Sequence, residues 1–238
     1  FLALLFALHP LNTEAVAWAS ARKDVLSTFL FLASIVLYLR WREKGGGQHY
    51  WFSVLLHLFG LLSKVMVLTQ PIILLLFDYW HGRKIDRKVL LEKVPYLALS
   101  SILGIVGLFG KQSALGASTF WEKFLMAPKS AVFYLEKMVW PSGLSVLYPY
   151  TGTVQIRSAD FAVPLLLCLL LVGLAVWLWF RWQKAAIGPW FFLITVTPTF
   201  LNFAKGGDMD RYFASDRYAY IPSIGIFLFL GVVILEVS

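Results

Sequence analysis

FAVPLLLCLLLVGLAVWLWF, Phe161–Phe180, runs for twenty residues without a charge. At about 1.5 Å of rise per residue, such a helix is about 30 Å long, the thickness of a bilayer's hydrocarbon core. Ile221–Leu235 is a second run of this kind. Shorter apolar stretches at Val25–Leu39, Tyr50–Ser63, Val65–Phe77, Pro95–Gly110 and Ile187–Phe203 are separated by basic or Gly- and Pro-bearing links. A chain that is 59% hydrophobic and 14% charged is no soluble domain. The expected fold is an all-α polytopic transmembrane bundle of about seven full spans, one membrane domain over residues 1–238. FLALLFAL (Phe1–Leu8) reads as the end of a truncated first helix, and the chain as a fragment of a longer protein.

Basic residues decide the threading. Arg40, Arg42 and Lys44 crowd one link; Arg83, Lys84, Arg87, Lys88 and Lys93 a second; Arg181 and Lys184 a third. The positive-inside rule places these dense, short links in the cytoplasm. Tyr50–Trp80 between the first two must then cross twice, as a hairpin with Lys64 near its outer tip. Residues 9–24, 111–160 and 204–217 all fall on the outer side. Within 111–160, Ala127–Trp140 mixes Val132, Phe133, Leu135 and Val139 with Lys129, Glu136 and Lys137, the pattern of an interfacial helix ended by Pro141 and Gly143. The formal charge of +8 is scattered through links and argues for no nucleic-acid partner. Cys168 lies in an apolar run, where a small hydrophobe packs, and a lone cysteine forms no internal disulfide.

The polar stretches on the outer side are the candidates for chemistry. In His9–Asp24, Asn12 or Thr13 is placed to cap a helix on which Glu14, Trp18 and Arg22 share a face. Glu14 either complements the helix dipole or belongs to a site, together with Asp24. Lys64 is flanked by apolar residues; an ammonium at a helix centre costs about 2.5–3.5 kcal/mol, so it needs a partner or water. A cation there sits where a lipid phosphate would lie. In AKGGDMDRYFASDRYAY (Ala204–Tyr220), Asp208, Asp210, Arg211, Asp216 and Arg217 alternate in sign, and Tyr212, Tyr218 and Tyr220 add aromatic surface. The spacing matches no EF-hand or zinc ligand set, so no metal is expected. In WPSGLSVLYPY, Trp140, Tyr148 and Tyr150 are either interfacial anchors or platforms for sugar rings.

HPLNTEAVAWASARKDVLS (from His9), LLSKVMVLTQPIILLLFDYW (from Leu61), EKVPYLAL (from Glu92), WPSGLSVLYPY (from Trp140) and GGDMDRYFASDRYAYIPSIG (from Gly206) occur in this order. The set resembles bacterial relatives of the transmembrane-and-tetratricopeptide-repeat O-mannosyltransferases, of the GT-C class of multispanning glycosyltransferases. Val65 stands where relatives often carry Pro or Glu after the hairpin lysine. The resemblance implies transfer of a sugar, mannose or a similar hexose, from a polyprenyl-phosphate carrier to a Ser or Thr hydroxyl of a protein acceptor. It places this chemistry outside the cytoplasm, in the periplasm of a bacterium, with no cofactor beyond the lipid-linked donor. It also implies an acidic pair upstream of Phe1 and helical repeats beyond Ser238.

On that reading Lys64, with Arg211 or Arg217, stabilises the phosphate leaving group. Glu14 and Asp24 are secondary acid/base candidates, and His9 orients a carboxylate. Trp140, Tyr148, Tyr150, Asp208, Asp216 and Tyr218 are the expected sugar or acceptor contacts. Two other classes stay open: a transporter or flippase of lipid-linked sugars, and a non-catalytic membrane anchor for a repeat scaffold. Paired repeats and mid-membrane breaks would mark the first; indifference to loss of the outer charges would mark the second.

Overall fold

The computed structural model describes residues 1–110, 119–150, 152–202 and 212–237. In chain order its helices are α1 (Leu2–Leu8), α2 (Thr13–Ala17), α3 (Arg22–Lys44), α4 (Gly47–Ser63), α5 (Gln70–Trp80), α6 (Arg87–Phe109), α7 (Phe120–Val139), α8 (Ala159–Arg181), α9 (Gln183–Val196) and α10 (Tyr220–Val237). Two short strands, β1 (Tyr148–Pro149) and β2 (Tyr212–Ala214), pair antiparallel with Tyr148 opposite Ala214. Among the described residues, four helical segments are long and apolar enough to cross a membrane: Ala19–Lys44, Arg87–Phe109, Ala159–Arg181 and Asp216–Glu236. The chain is an all-α integral membrane protein. Three of the seven expected spans are shorter, and each has a local reason. Gly46 and Lys64 bound α4 at 17 residues, Pro71 confines α5 to the stretch after a 3-10 turn (Val65–Thr69), and Pro198 lies in the 3-10 segment Thr197–Asn202 that follows α9.

The chain divides into two compact units, Trp18–Gly110 and Phe1–Ala17 with Lys111–Ser238. In the first, α3 starts with Asp24 in its opening turn and ends with Arg42 and Lys44 in its last, matching the helix dipole at both ends. Gly45 and Gly46, both at positive φ, reverse the chain into α4. Asp86 caps α6 by accepting from the Val89 N–H at 2.8 Å.

Polar side chains tie these four helices together in their apolar middle. Ser34 and Ser53 exchange hydroxyl-to-carbonyl bonds across α3 and α4, each 2.7 Å. Gln70 donates to Ser34 at 2.5 Å and meets the ring of buried His57 at 2.9 Å. His57 reaches Ser100 on α6 at 3.0 Å, and the Tyr96 hydroxyl donates to Ser53 at 2.7 Å. With lipid as apolar as leucine, such bonds and close packing replace the hydrophobic drive between helices.

In the second unit α7 begins at a capping box. Thr119 Oγ1 accepts from the Glu122 N–H, and Glu122 accepts from the Thr119 N–H at 2.7 Å. The expected interfacial helix at Ala127–Trp140 therefore starts seven residues earlier, and Pro128 sits inside it. Its inner face (Leu125, Met126, Ser130, Ala131, Tyr134) is buried, whereas Phe120, Trp121 and Phe124 are exposed. Helices α9 and α10 cross backbone to backbone at Gly188 and Gly225. A Cβ added to Gly188 would lie 2.5 Å from the Gly225 carbonyl oxygen. Leu11, Tyr134, Phe192, Val196, Ala214 and Ala219 form the core beneath β1 and β2.

Candidate functional site

In the unit Trp18–Gly110, the chain leaves α4 at Lys64 in an extended conformation before the 3-10 turn. That geometry turns the ammonium toward the opening turn of α3, where Nζ forms a salt bridge with Asp24 Oδ1. Both side chains are largely buried, at 13% and 4% exposure. The hydroxyls of Ser27 and Thr28 donate to the Asp24 main-chain oxygen, at 3.0 and 2.7 Å, and not to its carboxylate. Asp24 Oδ2 is buried with no hydrogen-bond partner among the described residues.

A second ionic cluster closes the other end of α3. Lys93, on α6 and fully buried, lies 2.6 Å from Asp78 Oδ2 and also bonds the Tyr38 hydroxyl. Tyr38 donates to the same Asp78 oxygen at 2.6 Å. Arg83 forks onto Glu92 at 2.5 and 2.6 Å and reaches Asp78 at 3.5 Å; Arg42 approaches Asp78 Oδ1 at 3.4 Å. Asp24 and Tyr38 are fourteen positions apart on α3, about 21 Å along the axis. The basic links around Arg42 and Arg83 thus share one end of this unit, and Lys64 with Asp24 the other, as the threading requires. Lys93 belongs to α6 and not to a solvated link. Its signal was present in the sequence: Asp78 ends an apolar helix, and a carboxylate there needs a buried cation.

In the unit of Phe1–Ala17 and Lys111–Ser238, three consecutive residues, Ser215, Asp216 and Arg217, are held by side chains from other elements of the unit. Glu14, on α2, accepts from the Arg217 N–H at 2.8 Å, from the Arg217 guanidinium at 3.1 Å, and from the Ser215 hydroxyl at 3.3 Å. The Asp216 carboxylate, 3% exposed, accepts from the Tyr148 hydroxyl and from the Ser145 N–H, each at 2.8 Å. The Ser215 N–H points to the hydroxyl of buried Tyr134 at 3.4 Å. Burial, and then the neighbouring Asp216 carboxylate, push the Tyr148 phenol well above its usual value, so it remains a proton donor at neutral pH. The β1–β2 pairing brings Tyr148 beside this tripeptide, and Phe133 packs on Tyr148 at 4.5 Å between ring centres.

The other expected residues fall as follows. His9 caps the turn Pro10–Asn12 through Nδ1, which accepts from the Leu11 N–H, and its Nε2 bonds the Met138 carbonyl oxygen at 2.9 Å. Both ring nitrogens are used by backbone, which corrects the expectation that His9 orients a carboxylate. Glu14, Trp18 and Arg22 do not line one helix. Trp18 is extended at φ −81, ψ 119, and α2 ends before it. Tyr218 lies under the Arg217 guanidinium at 5.2 Å. Tyr150 packs edge-on to Phe161 and faces the Lys129 ammonium at 4.9 Å. Trp140 is exposed at the end of α7. Asp208 and Arg211 lie outside the described residues.

Protein O-mannosyl-transferase Tmtc2 of Drosophila melanogaster is 29% identical to this chain over an alignment of 161 residues, covering 59% of the chain and 17% of the relative. Protein O-mannosyl-transferase TMTC1 of Homo sapiens and its Mus musculus counterpart are each 51% identical over 43 residues, 18% of this chain and 5% of theirs. The chain thus spans less than a fifth of the curated relatives it matches. No family model matches it, and no solved structure does. By these likenesses the chain is a distant, partial homologue of the protein O-mannosyl-transferases.

Proposed function

We propose that the protein is a GT-C-type glycosyltransferase that moves a hexose, mannose by the names of its relatives, from a polyprenyl-phosphate carrier to a Ser or Thr hydroxyl of a protein. The observation that carries this is the partial homology to protein O-mannosyl-transferases. The reaction breaks the bond between the anomeric carbon and the phosphate oxygen, and its electron pair stays on the phosphate. The acceptor oxygen bonds to the anomeric carbon and its proton passes to a carboxylate. Lys64 is the cation for the phosphate: it is largely buried in a low-dielectric setting, where an ammonium stabilises developing negative charge strongly. Asp24, beside Lys64 in the same unit, is either a proton acceptor or a contact to the sugar.

On this reading the basic links around Arg42 and Arg83 face the cytoplasm, as the positive-inside rule expects, and Lys64 and Asp24, at the other end of α3, face outward, to the periplasm in a bacterium. The test is transfer of labelled mannose from polyprenyl-phospho-mannose to a Ser/Thr-rich protein by the intact protein in lipid nanodiscs. Label in the acceptor, released by β-elimination, supports the reading; flipping of the donor without any transfer overturns it in favour of a transporter.

A further inference from the structure

Two buried aspartates of the unit Trp18–Gly110 are treated very differently. Asp78 is saturated: Lys93, Tyr38 and Arg83 meet one oxygen and Arg42 the other. Asp24, equally buried, meets Lys64 through Oδ1, and its Oδ2 has no hydrogen-bond partner among the described residues. A buried carboxylate oxygen without a donor is costly, and a ligand group that supplies one gains the difference. Building on the assignment of Lys64 to the donor phosphate, we infer that Asp24 recognises the donor sugar, its Oδ2 accepting a hydrogen bond from the hydroxyl next to the anomeric carbon.

The geometry selects that hydroxyl. A group that bonds Oδ2 while Lys64 holds the phosphate lies near the phosphate end of the sugar, because Oδ1 touches the same ammonium. The C2 hydroxyl, one carbon from the phosphate ester, is the donor within reach of both groups. Asp24 is then a specificity residue and not the base. Lys64 and Asp24 together read a hydroxyl beside a phosphodiester, the signature of a glycosyl phosphate as opposed to a bare lipid phosphate.

The experiment measures binding of three polyprenyl-phospho-mannose donors to the intact protein in nanodiscs: the parent, the C2-deoxy sugar and the C2-fluoro sugar. Fluorine cannot donate a hydrogen bond, so in the wild type both analogues bind about tenfold or more weaker than the parent. In Asp24→Asn, which keeps the shape and loses the charge, the three donors converge to within about threefold. Parent and C2-fluoro donors binding the wild type equally would overturn the inference without any variant. So would a deoxy penalty that is the same in Asp24→Asn as in the wild type. If the wild type binds no donor better than the free polyprenol, the transferase reading falls and takes the inference with it.

Discussion

Asp78→Asn should destabilise the protein more than Lys93→Met, although the two residues form one ion pair. Asp78 is 3% exposed and Lys93 fully buried, with 2.6 Å between Nζ and Oδ2. Removing one partner of a buried pair costs about 3–5 kcal/mol, because the other charge is left without compensation. Asp78→Asn leaves Lys93 with Glu92 at 3.7 Å and the Tyr38 hydroxyl, so the loss falls at the low end, about 3 kcal/mol. Lys93→Met strands less. Asp78 keeps Tyr38 at 2.6 Å, Arg42 at 3.4 Å and Arg83 at 3.5 Å, and the methionine fills the space with an apolar chain; about 1–2 kcal/mol is expected. At about 2–4 °C per kcal/mol for a chain of this size, the aspartate variant melts about 6–12 °C lower and the lysine variant about 2–8 °C lower. Thermal unfolding in detergent, followed by loss of the monodisperse peak, reads both. Equal shifts, or a larger shift for Lys93→Met, would refute the picture of Asp78 as the hub of that cluster.

Three further outcomes follow from other contacts. Gly188→Ala and Gly225→Ala each force α9 and α10 apart, at about 1–3 kcal/mol of overpacking, and the double variant costs less than the sum because one displacement relieves both; additive losses would place the crossing elsewhere. Glu14→Gln removes the charge that Arg217 pairs with and lowers stability by about 2 kcal/mol, whereas Arg22→Gln changes little, since Arg22 is exposed and bonds the Ala19 carbonyl; similar effects for both would contradict the clasp at Arg217. The folded-state Tyr148 phenol titrates above its ordinary 10.0. Its contribution is therefore fully present below that pH and is lost as pH rises toward the folded value, so Tyr148→Phe flattens the alkaline fall in unfolding midpoint; an unchanged slope would count against the bond to Asp216.

Much of this was readable from the chain itself. Each of the seven apolar runs read as a span overlaps a helix among the described residues, though only four segments there are long enough to cross, and basic-residue density placed Arg42 and Arg83 at one end of their unit and Lys64 at the other. Helix ends were less legible. Nothing in the periodicity of residues 13–24 announces the extended Trp18, and the start of α7 depends on a Thr119–Glu122 exchange that a 3.6-residue pattern does not weigh. Partnerships were the least visible. Lys64 and Asp24 are forty positions apart, and Glu14 and Arg217 two hundred and three. Charges flag the need for a partner but not its address, because long-range pairing is set by helix packing. The buried Lys93 shows the same limit from the other side: counted as one more basic residue in a link, it belongs to a buried cluster around Asp78.

The claim that Lys64 receives the donor phosphate is tested most directly by the donor dependence of sugar transfer in Lys64→Met, compared with the wild type in the same nanodiscs. Methionine preserves the length and packing of the side chain and removes only the ammonium. The account predicts that kcat/KM for polyprenyl-phospho-mannose falls by about a hundredfold, the equivalent of about 2.7 kcal/mol of lost charge stabilisation. Transfer at the wild-type rate with limiting donor would contradict it.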